Sequence, residues 1–229
     1  MKKQIPNIIT LLNLLCGIIA IVEVLYFKNM VAGALFIILG AIFDFFDGMT
    51  ARLLHVSSPI GKELDSLSDV VTFGVAPSMI AMSLMLEVKD SILAAIPLLM
   101  ALFSSYRLAK FNLDTRQTEN FIGLATPANA FFWLSIPLIS LQERFSHIYE
   151  IMSCSYFIIP MAIVMSLLLV AEIPMFSLKF HNFKWADNKI RFIFLGLSLI
   201  LLAVLQFVAI PIIIILYIIL SIINNIINK

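Results

Sequence analysis

Phe43-Asp44-Phe45-Phe46-Asp47-Gly48-Met49-Thr50-Ala51-Arg52 closes an apolar run that starts at Val31, and Gly61-Lys62-Glu63-Leu64-Asp65-Ser66-Leu67-Ser68-Asp69 opens the next one. A helix that crosses about 30 Å of hydrocarbon takes roughly 20 apolar residues, and residues 31–53 supply them. Asp44 and Asp47 are three positions apart and share one face at the end of that helix. Asp65 and Asp69 are four apart and share one face at the start of the next, with Gly61 one turn earlier on the same stripe. An aspartate at the centre of a membrane helix costs about 2.5–3.5 kcal/mol. Four of them so close together in the chain must therefore face a polar cavity and be neutralised by something positive. Two facing helices converge the four carboxylates on one pocket near a membrane surface. Gly48 removes a side chain where a ligand can approach the backbone, and Arg52 stands one turn further on.

Composition agrees with a membrane location. Of 229 residues, 62% are hydrophobic and 13% charged, against about 45–50% and about 25% in a soluble domain. Mean hydropathy is +1.06. These values exclude disordered, collagenous, coiled-coil and disulfide-scaffold readings. The net charge of +1 gives no bulk basic field for nucleic acid. Cys16 and Cys154 lie in apolar segments and read as small buried hydrophobes. The N-terminal lysines and the apolar run after them imitate a signal peptide, but Glu23 and Tyr26 follow without a clear small-residue cleavage site, so the segment reads as a retained first helix.

Eight spans are expected, at about 8–26, 31–53, 67–86, 91–111, 126–142, 154–176, 190–206 and 208–226, making an all-α polytopic membrane protein in a single integral domain, 1–229. The last two come from one apolar stretch too long for an ordinary span, divided where Pro211 follows Gln206. With eight spans, Lys2, Lys3, Arg52, Lys62, Arg107, Lys110, Arg116, Lys179, Lys184, Lys189, Arg191 and Lys229 share one side. Lys28, Lys89 and Arg144 take the other. The twelve-to-three split makes the richer side cytoplasmic, with both termini and the aspartates on it.

Clustered carboxylates without cysteine or histidine are hard oxygen ligands, suited to Mg²⁺, Mn²⁺ or Ca²⁺. Metals held by shared carboxylates clamp phosphate oxygens, and an arginine grips phosphate as a fork. The pattern points to phosphoryl chemistry at the membrane surface. Two other readings of the same residues stand beside it: polar residues of a short exposed loop, and a cation or proton pathway such as a divalent-cation transporter uses.

In order, the residues read Asp44-x-x-Asp47-Gly48-x-x-Ala51-Arg52, eight residues, then Gly61-x-x-x-Asp65-x-x-x-Asp69. This resembles the complete motif of the CDP-alcohol phosphotransferases, with no departure at its eight specified positions. The resemblance implies a six-helix membrane core, placed here at 1–176 with an additional helix pair at 177–229, and a homodimer. It also implies attack of an alcohol on a CDP-activated lipid with release of CMP. Carried over, Asp44, Asp47, Asp65 and Asp69 hold two divalent ions, Mg²⁺ or Mn²⁺, and Asp69 is also the general base. Gly48 and Ala51 give the cytidine room, Gly61 belongs to the same substrate surface, and Arg52 holds phosphate. Pro6-Asn7-x-x-Thr10 resembles the family's opening segment and makes Asn7 and Thr10 candidates for nucleotide contacts. A helix start with a back-bonded threonine explains the same residues.

Three segments resemble the phosphatidylserine synthase branch: Ile5 to Gly17, Ser68-Asp69-Val70-Val71-Thr72-Phe73-Gly74-Val75-Ala76-Pro77, and Arg107-Leu108-Ala109-Lys110-Phe111-Asn112. The branch implies CDP-diacylglycerol as donor and L-serine as acceptor; glycerol phosphate and inositol phosphate are the acceptors of sister branches. The likeness weakens after about residue 135, and Gly123-Leu124-Ala125-Thr126-Pro127-Ala128-Asn129-Ala130 departs from it. The branch commonly has proline where Ala125 stands, and Asn129 adds a polar group. A serine carboxylate needs a cation, for which Arg107 and Lys110 are candidates; anchoring at the cytoplasmic surface is the other role for both. Glu23 and Glu172 fall near span ends and read as snorkelling or helix-pairing residues. His55, His147 and His181 read as loop residues.

Overall fold

A computed structural model describes residues 4–56, 58–88, 92–113, 121–176 and 185–227. Lys2, Lys3, Lys89, Arg116, Lys179, His181, Lys184 and Lys229, named above, lie outside them.

The first helix shows how the chain sorts its faces. α1 (Gln4–Leu25) buries Pro6, Thr10, Asn13, Cys16, Gly17, Ala20 and Val24, spaced mostly three and four apart. It turns Ile8, Leu11, Leu15, Ile18 and Val22 outward. Small and polar residues point inward and large apolar ones outward. Lipid tails are as apolar as leucine, so close backbone approach and hydrogen bonding, not hydrophobicity, select the buried face. α2 (Met30–Leu53) starts at Asn29, whose side chain accepts from Ala32 N–H, and packs along α1. A Cβ on Gly33 would lie 2.5 Å from Val24 Cγ2 and 3.2 Å from the Ala20 carbonyl oxygen, so only glycine permits this approach.

α3 (Pro59–Asp69) begins with Ser58 capping Gly61 N–H at 3.0 Å and Pro59 in the first turn. It starts well before the expected 67, which puts Asp65 inside a helix already under way and Asp69 at its end, not at its beginning. The reason is local: a serine cap and a first-turn proline fix a helix start that apolar counting cannot see. A π turn (Val70–Val75) then leads directly into α4 (Ala76–Val88). A 3₁₀ segment (Ile92–Leu98) precedes α5 (Leu99–Leu113).

α6 (Thr126–Ile139) is the centre of the bundle: Phe132, Trp133, Leu134, Ile136, Leu138 and Ile139 are all fully buried. Its start is fixed by a two-residue antiparallel pair between β1 (Phe121–Ile122) and β2 (Pro174–Met175). Leu124 N–H also donates to the Leu168 carbonyl at 2.8 Å. Gly123 sits at φ +77° there, with no room for a side chain against the Leu169 carbonyl. α7 (Ser146–Ser153) and α8 (Ser155–Val170) meet at a 70° bend. α8 ends short of the expected 176, where the chain becomes extended to form β2.

α9 (Trp185–Leu205) and α10 (Ala209–Ile227) form a hairpin. Phe194 and Tyr217 would stand about 34 Å apart along one continuous helix, yet their ring centroids are 5.8 Å apart. The chain reverses at Gln206, whose φ is +51°. Phe176 stacks edge-on against both rings, and α10 packs against α6.

The helices follow the order of the expected spans. By length and apolarity, five helical segments among the described residues can cross a membrane, or six with the bent α7–α8 pair. α6 has 14 residues, about 21 Å, and is not counted among these by length. The run 188–226 counts as one segment by continuity, although its fold-back supplies two antiparallel helices. The protein is an all-α polytopic membrane protein.

Candidate active site

Three helix segments build the site. α2 brings Asp44 and Asp47 on adjacent turns, α3 brings Asp65 and Asp69, and the N-terminal half of α1 closes the third side with Asn7, Thr10 and Asn13. Carboxylate oxygens of Asp44, Asp47 and Asp65 lie within 4.8 Å of one another. Asp69 faces the same cluster, within electrostatic reach of the other three. One of its oxygens, Oδ1, accepts from Asn13 Nδ2 at 3.3 Å. The four aspartates singled out by spacing are thus brought together. The helical stripes carry over unchanged, since α2 and α3 are regular helices through these positions.

Above the cluster opens a cavity of about 280 Å³ lined by Asn7, Thr10, Asp47, Gly48, Ala51, Gly61, Lys62 and Asp65, among others. Five residues expected on a nucleotide surface line it together: Asn7, Thr10, Gly48, Ala51 and Gly61. A Cβ on Gly48 would meet nothing within 4 Å, so this glycine keeps cavity volume open. One on Gly61 would lie 2.9 Å from Ser58 Oγ and 3.0 Å from Asn7 Oδ1, so that glycine holds α3 close to α1. Thr10 donates to the Pro6 carbonyl at 3.0 Å, the back-bonded role, and is also within hydrogen-bonding reach of Asp47.

Arg52 stands apart from this group. It is exposed and does not line this cavity; the cation that does is Lys62. Arg52 follows Gly48 by four positions, which leaves its Cα about 40° round the helix from the glycine that faces the cavity. Lys62 follows Gly61 on α3, and its ammonium donates to the Asn112 carbonyl at 3.1 Å. Asn112 Nδ2 in turn reaches Ser66 Oγ at 2.8 Å, which ties α5 to α3. Sequence reading missed Lys62 as a site residue because it was counted only in the charge tally. It missed Asn13 as the partner of Asp69 because the two stand far apart in the chain; the available signal was a lone asparagine one turn after Thr10.

The two acceptor candidates separate. Lys110 pairs with Glu172 at 3.0 Å, both partly exposed, and closes a bridge between α5 and the end of α8. Arg107 is 8% exposed. Its Nη1 donates to Thr126 Oγ1 at 3.1 Å, its guanidinium lies 5.9 Å from the Phe111 ring centre, and it stands within electrostatic range of Asp69 and Tyr217. A buried cation costs several kcal/mol unless compensated, and Asp69 lies within electrostatic range of this one. Arg107 is thus buried within electrostatic range of Asp69, whereas Lys110 is held by Glu172.

The donor set fits hard divalent cations. All the converging ligands are carboxylate oxygens. Asp47 Oδ2 and Asn13 Oδ1 are buried without a hydrogen-bond partner among the described residues. Four carboxylates this close repel strongly without a cation between them, and orphaned buried acceptors are costly.

The sequence profile of the CDP-alcohol phosphatidyltransferase family matches residues 3–227. The CDP-diacylglycerol–serine O-phosphatidyltransferase of Bacillus subtilis is 45% identical over 125 residues, 55% of this chain and 70% of that protein. That of Helicobacter pylori is 36% identical over 127 residues, 55% of this chain and 53% of that protein. The protein of the same name from Mycobacterium tuberculosis is 34% identical over 178 residues, 75% of this chain and 60% of that protein. The matched stretches thus cover from 53% to 70% of these relatives. With the four aspartates gathered under one cavity and the profile running through nearly the whole chain, this protein belongs to the CDP-alcohol phosphatidyltransferase family.

Proposed function

We propose that the chain transfers the phosphatidyl group of CDP-diacylglycerol to the hydroxyl of L-serine, giving phosphatidylserine and CMP. The observation that carries this reading is the position of Arg107. It is a buried cation within electrostatic range of Asp69, and it does not line the open cavity above the aspartates. A nucleotide enters from the cavity side and an acidic acceptor from the Arg107 side, with the reacting phosphorus between them. The names of the matched relatives support the same donor and acceptor.

Asp44, Asp47, Asp65 and Asp69 would hold two divalent ions. Bound there, the metal neutralises the diphosphate so that an oxygen nucleophile can approach. The remaining work falls to side chains. Asn7, Thr10, Gly48, Ala51 and Gly61 shape the nucleotide surface, and Lys62 supplies a cation at its rim. Asn13 engages Asp69 Oδ1, which orients the carboxylate and leaves its other oxygen to take the serine hydroxyl proton. The bond from serine oxygen to the phosphorus of the lipid forms as the bond to the CMP oxygen breaks. Proton removal by a positioned base contributes about 10²–10⁴-fold. The charge split supports a cytoplasmic site for this chemistry, where soluble serine and CMP are found, and the family resemblance supports a homodimer.

The test is turnover by the purified protein in mixed micelles with CDP-diacylglycerol, Mn²⁺ or Mg²⁺, and one acceptor at a time. CMP release is expected with L-serine. Release with glycerol phosphate or inositol phosphate and none with serine would refute the acceptor assignment while leaving the family chemistry intact.

A further inference from the structure

A second cavity, of about 270 Å³, opens beside the start of α6. Ala125 and Ala128 form its wall on the α6 side, and Ile213, Ile214 and Tyr217 its wall on α10. Phe176 and Phe194 close it, with ring centroids 4.9 and 5.8 Å from that of Tyr217. The two alanines, three positions apart, leave open a face of a helix that elsewhere packs Phe132, Trp133 and Leu134 into the core. The one polar side-chain group in this lining, the Tyr217 hydroxyl, already donates to the Phe176 carbonyl at 3.0 Å. The side chains of the walls therefore offer carbon alone, and a polar ligand would lose its hydrogen bonds on entering.

This cavity adjoins the aspartate site. Thr126, next to Ala125, accepts from Arg107 Nη1 at 3.1 Å, and Arg107 stands within electrostatic range of both Asp69 and Tyr217. One guanidinium is thus shared by the aspartates and the cavity wall. The direction of the cavity follows from the helices that line it. Asn225, near the end of α10, reaches the Pro174 carbonyl at 2.6 Å, and Pro174 pairs with Ile122, just ahead of α6. The end of α10 and the start of α6 therefore share one end of the bundle, and the two helices, which pack together, run antiparallel. From Ala125 to Ala128, and from Tyr217 back to Ile213, each wall descends about one turn. Both lead away from the level of Arg107 into the depth of the bundle, the direction in which a lipid chain extends from its headgroup.

We propose that this cavity holds one acyl chain of the diacylglycerol donor and thereby places the donor's phosphorus. The proposal rests on the donor half of the assignment above. During transfer the phosphorus keeps its bond to the diacylglycerol oxygen while the CMP oxygen leaves and the acceptor oxygen arrives. The nucleotide takes the cavity above the aspartates, so the lipid leaves the phosphorus on another side, and the apolar cavity opens there, beside Arg107. Its volume falls below the about 300–1,000 Å³ of pockets that enclose a drug-sized ligand, which suits a stretch of one chain and not a whole lipid. Lipid tails are as apolar as these walls, so entry adds little affinity. The cavity supplies a fixed place for the chain, with stacked aromatic rings as its rigid side.

The experiment uses the full chain in the same micelles, with whichever acceptor releases CMP. The donors are CDP-dipalmitoylglycerol and CDP-dibutanoylglycerol, whose chains end close to the glycerol. Ala128→Phe fills the cavity from α6 and Ile213→Trp fills it from α10; Leu199→Phe, at an exposed position on α9, is the control. Both filled variants are expected to lose at least about tenfold in kcat/KM with the dipalmitoyl donor and to stay within about twofold of wild type with the dibutanoyl donor. The acceptor KM should not move, and the control should match wild type with both donors. In wild-type protein, a dipalmitoyl donor carrying a diazirine at one chain terminus should cross-link to α6, α9 or α10 on irradiation, and unlabelled donor should compete the product away. Equal losses with both donors, or no loss with the dipalmitoyl donor, overturn the proposal. So does cross-linking by a similarly labelled phosphatidylcholine that the donor cannot displace, which makes the occupant a structural lipid. Where the filled variants do not fold or wild-type protein rejects the dibutanoyl donor, the cross-link decides, and its absence from these three helices overturns the proposal. Wild-type protein that releases no CMP from either donor with any acceptor refutes the donor assignment itself, and this proposal with it.

Discussion

Replacing Gly17 with alanine tests whether the site depends on how closely α1 approaches the π turn. A Cβ there would lie 2.5 Å from Thr72 Oγ1, 2.8 Å from Thr72 Cα and 3.0 Å from Thr72 N. The hydroxyl can rotate away at the cost of its 3.0 Å bond to the Asn13 carbonyl, but the backbone atoms cannot. Ordinary carbon contacts are about 3.5–4.0 Å, so the two backbones must separate by about 0.7–1.2 Å. Alanine gains about 0.5–1 kcal/mol over glycine in a helix, and overpacking costs about 1–3 kcal/mol. The net stability loss is at most about 2.5 kcal/mol by that difference, which leaves a folded protein. Function should suffer more. Thr72 is three positions beyond Asp69 and Asn13 is one turn before Gly17, so the separation acts directly on the 3.3 Å Asn13–Asp69 contact. A misplacement of about 1 Å can cost about 10²-fold in rate. The assay is CMP release at saturating donor and serine, alongside thermal unfolding. Gly196→Ala, where a Cβ meets nothing within 4 Å, serves as the control and should match wild type in rate. Wild-type kcat and unfolding in Gly17→Ala would refute the claim that this approach sets the base.

Four further outcomes are expected. Chelation should abolish CMP release, and Mn²⁺ or Mg²⁺ should restore it; full turnover after verified metal removal would refute the carboxylate-cluster assignment. Asp69→Asn should lose at least about a hundredfold in kcat while retaining nucleotide affinity, whereas Asp47→Asn, at the cavity wall, should weaken nucleotide binding as well; equal nucleotide affinity in both variants would contradict this division. Arg107→Ala should raise the serine KM strongly or abolish transfer, and Lys110→Ala, which breaks a partly exposed ion pair worth about 0–1 kcal/mol, should leave KM near wild type; the reverse order would exchange their roles. Single cysteines at His55 and Arg144, in a background lacking Cys16 and Cys154, should label from the cytoplasmic and the opposite side respectively, and His55 labelling from outside only would overturn the orientation.

Much of the site was legible because its information is local. The i,i+3 and i,i+4 spacing of four aspartates survives any arrangement of the helices that carry them, and glycine beside a carboxylate already marks an open surface. Composition fixed the membrane setting in the same way, because so apolar a chain has no soluble alternative. Tertiary structure decided the rest. The start of α3 depended on a serine cap and a proline, and the start of α6 on a short strand pair that pins its first turn. The reversal at Gln206 is shown by the contact between the Phe194 and Tyr217 rings. Charge type alone could not separate Arg52 from Lys62, or Arg107 from Lys110. Arg52 ends exposed and outside the cavity lining, whereas Lys62 lines it. Burial places Arg107 within range of Asp69, while Glu172, on the far side of α6 in the chain, claims Lys110. Side-chain periodicity is a property of one helix, but neutralising a buried charge takes a partner from another, and only the folded bundle determines which partner that is.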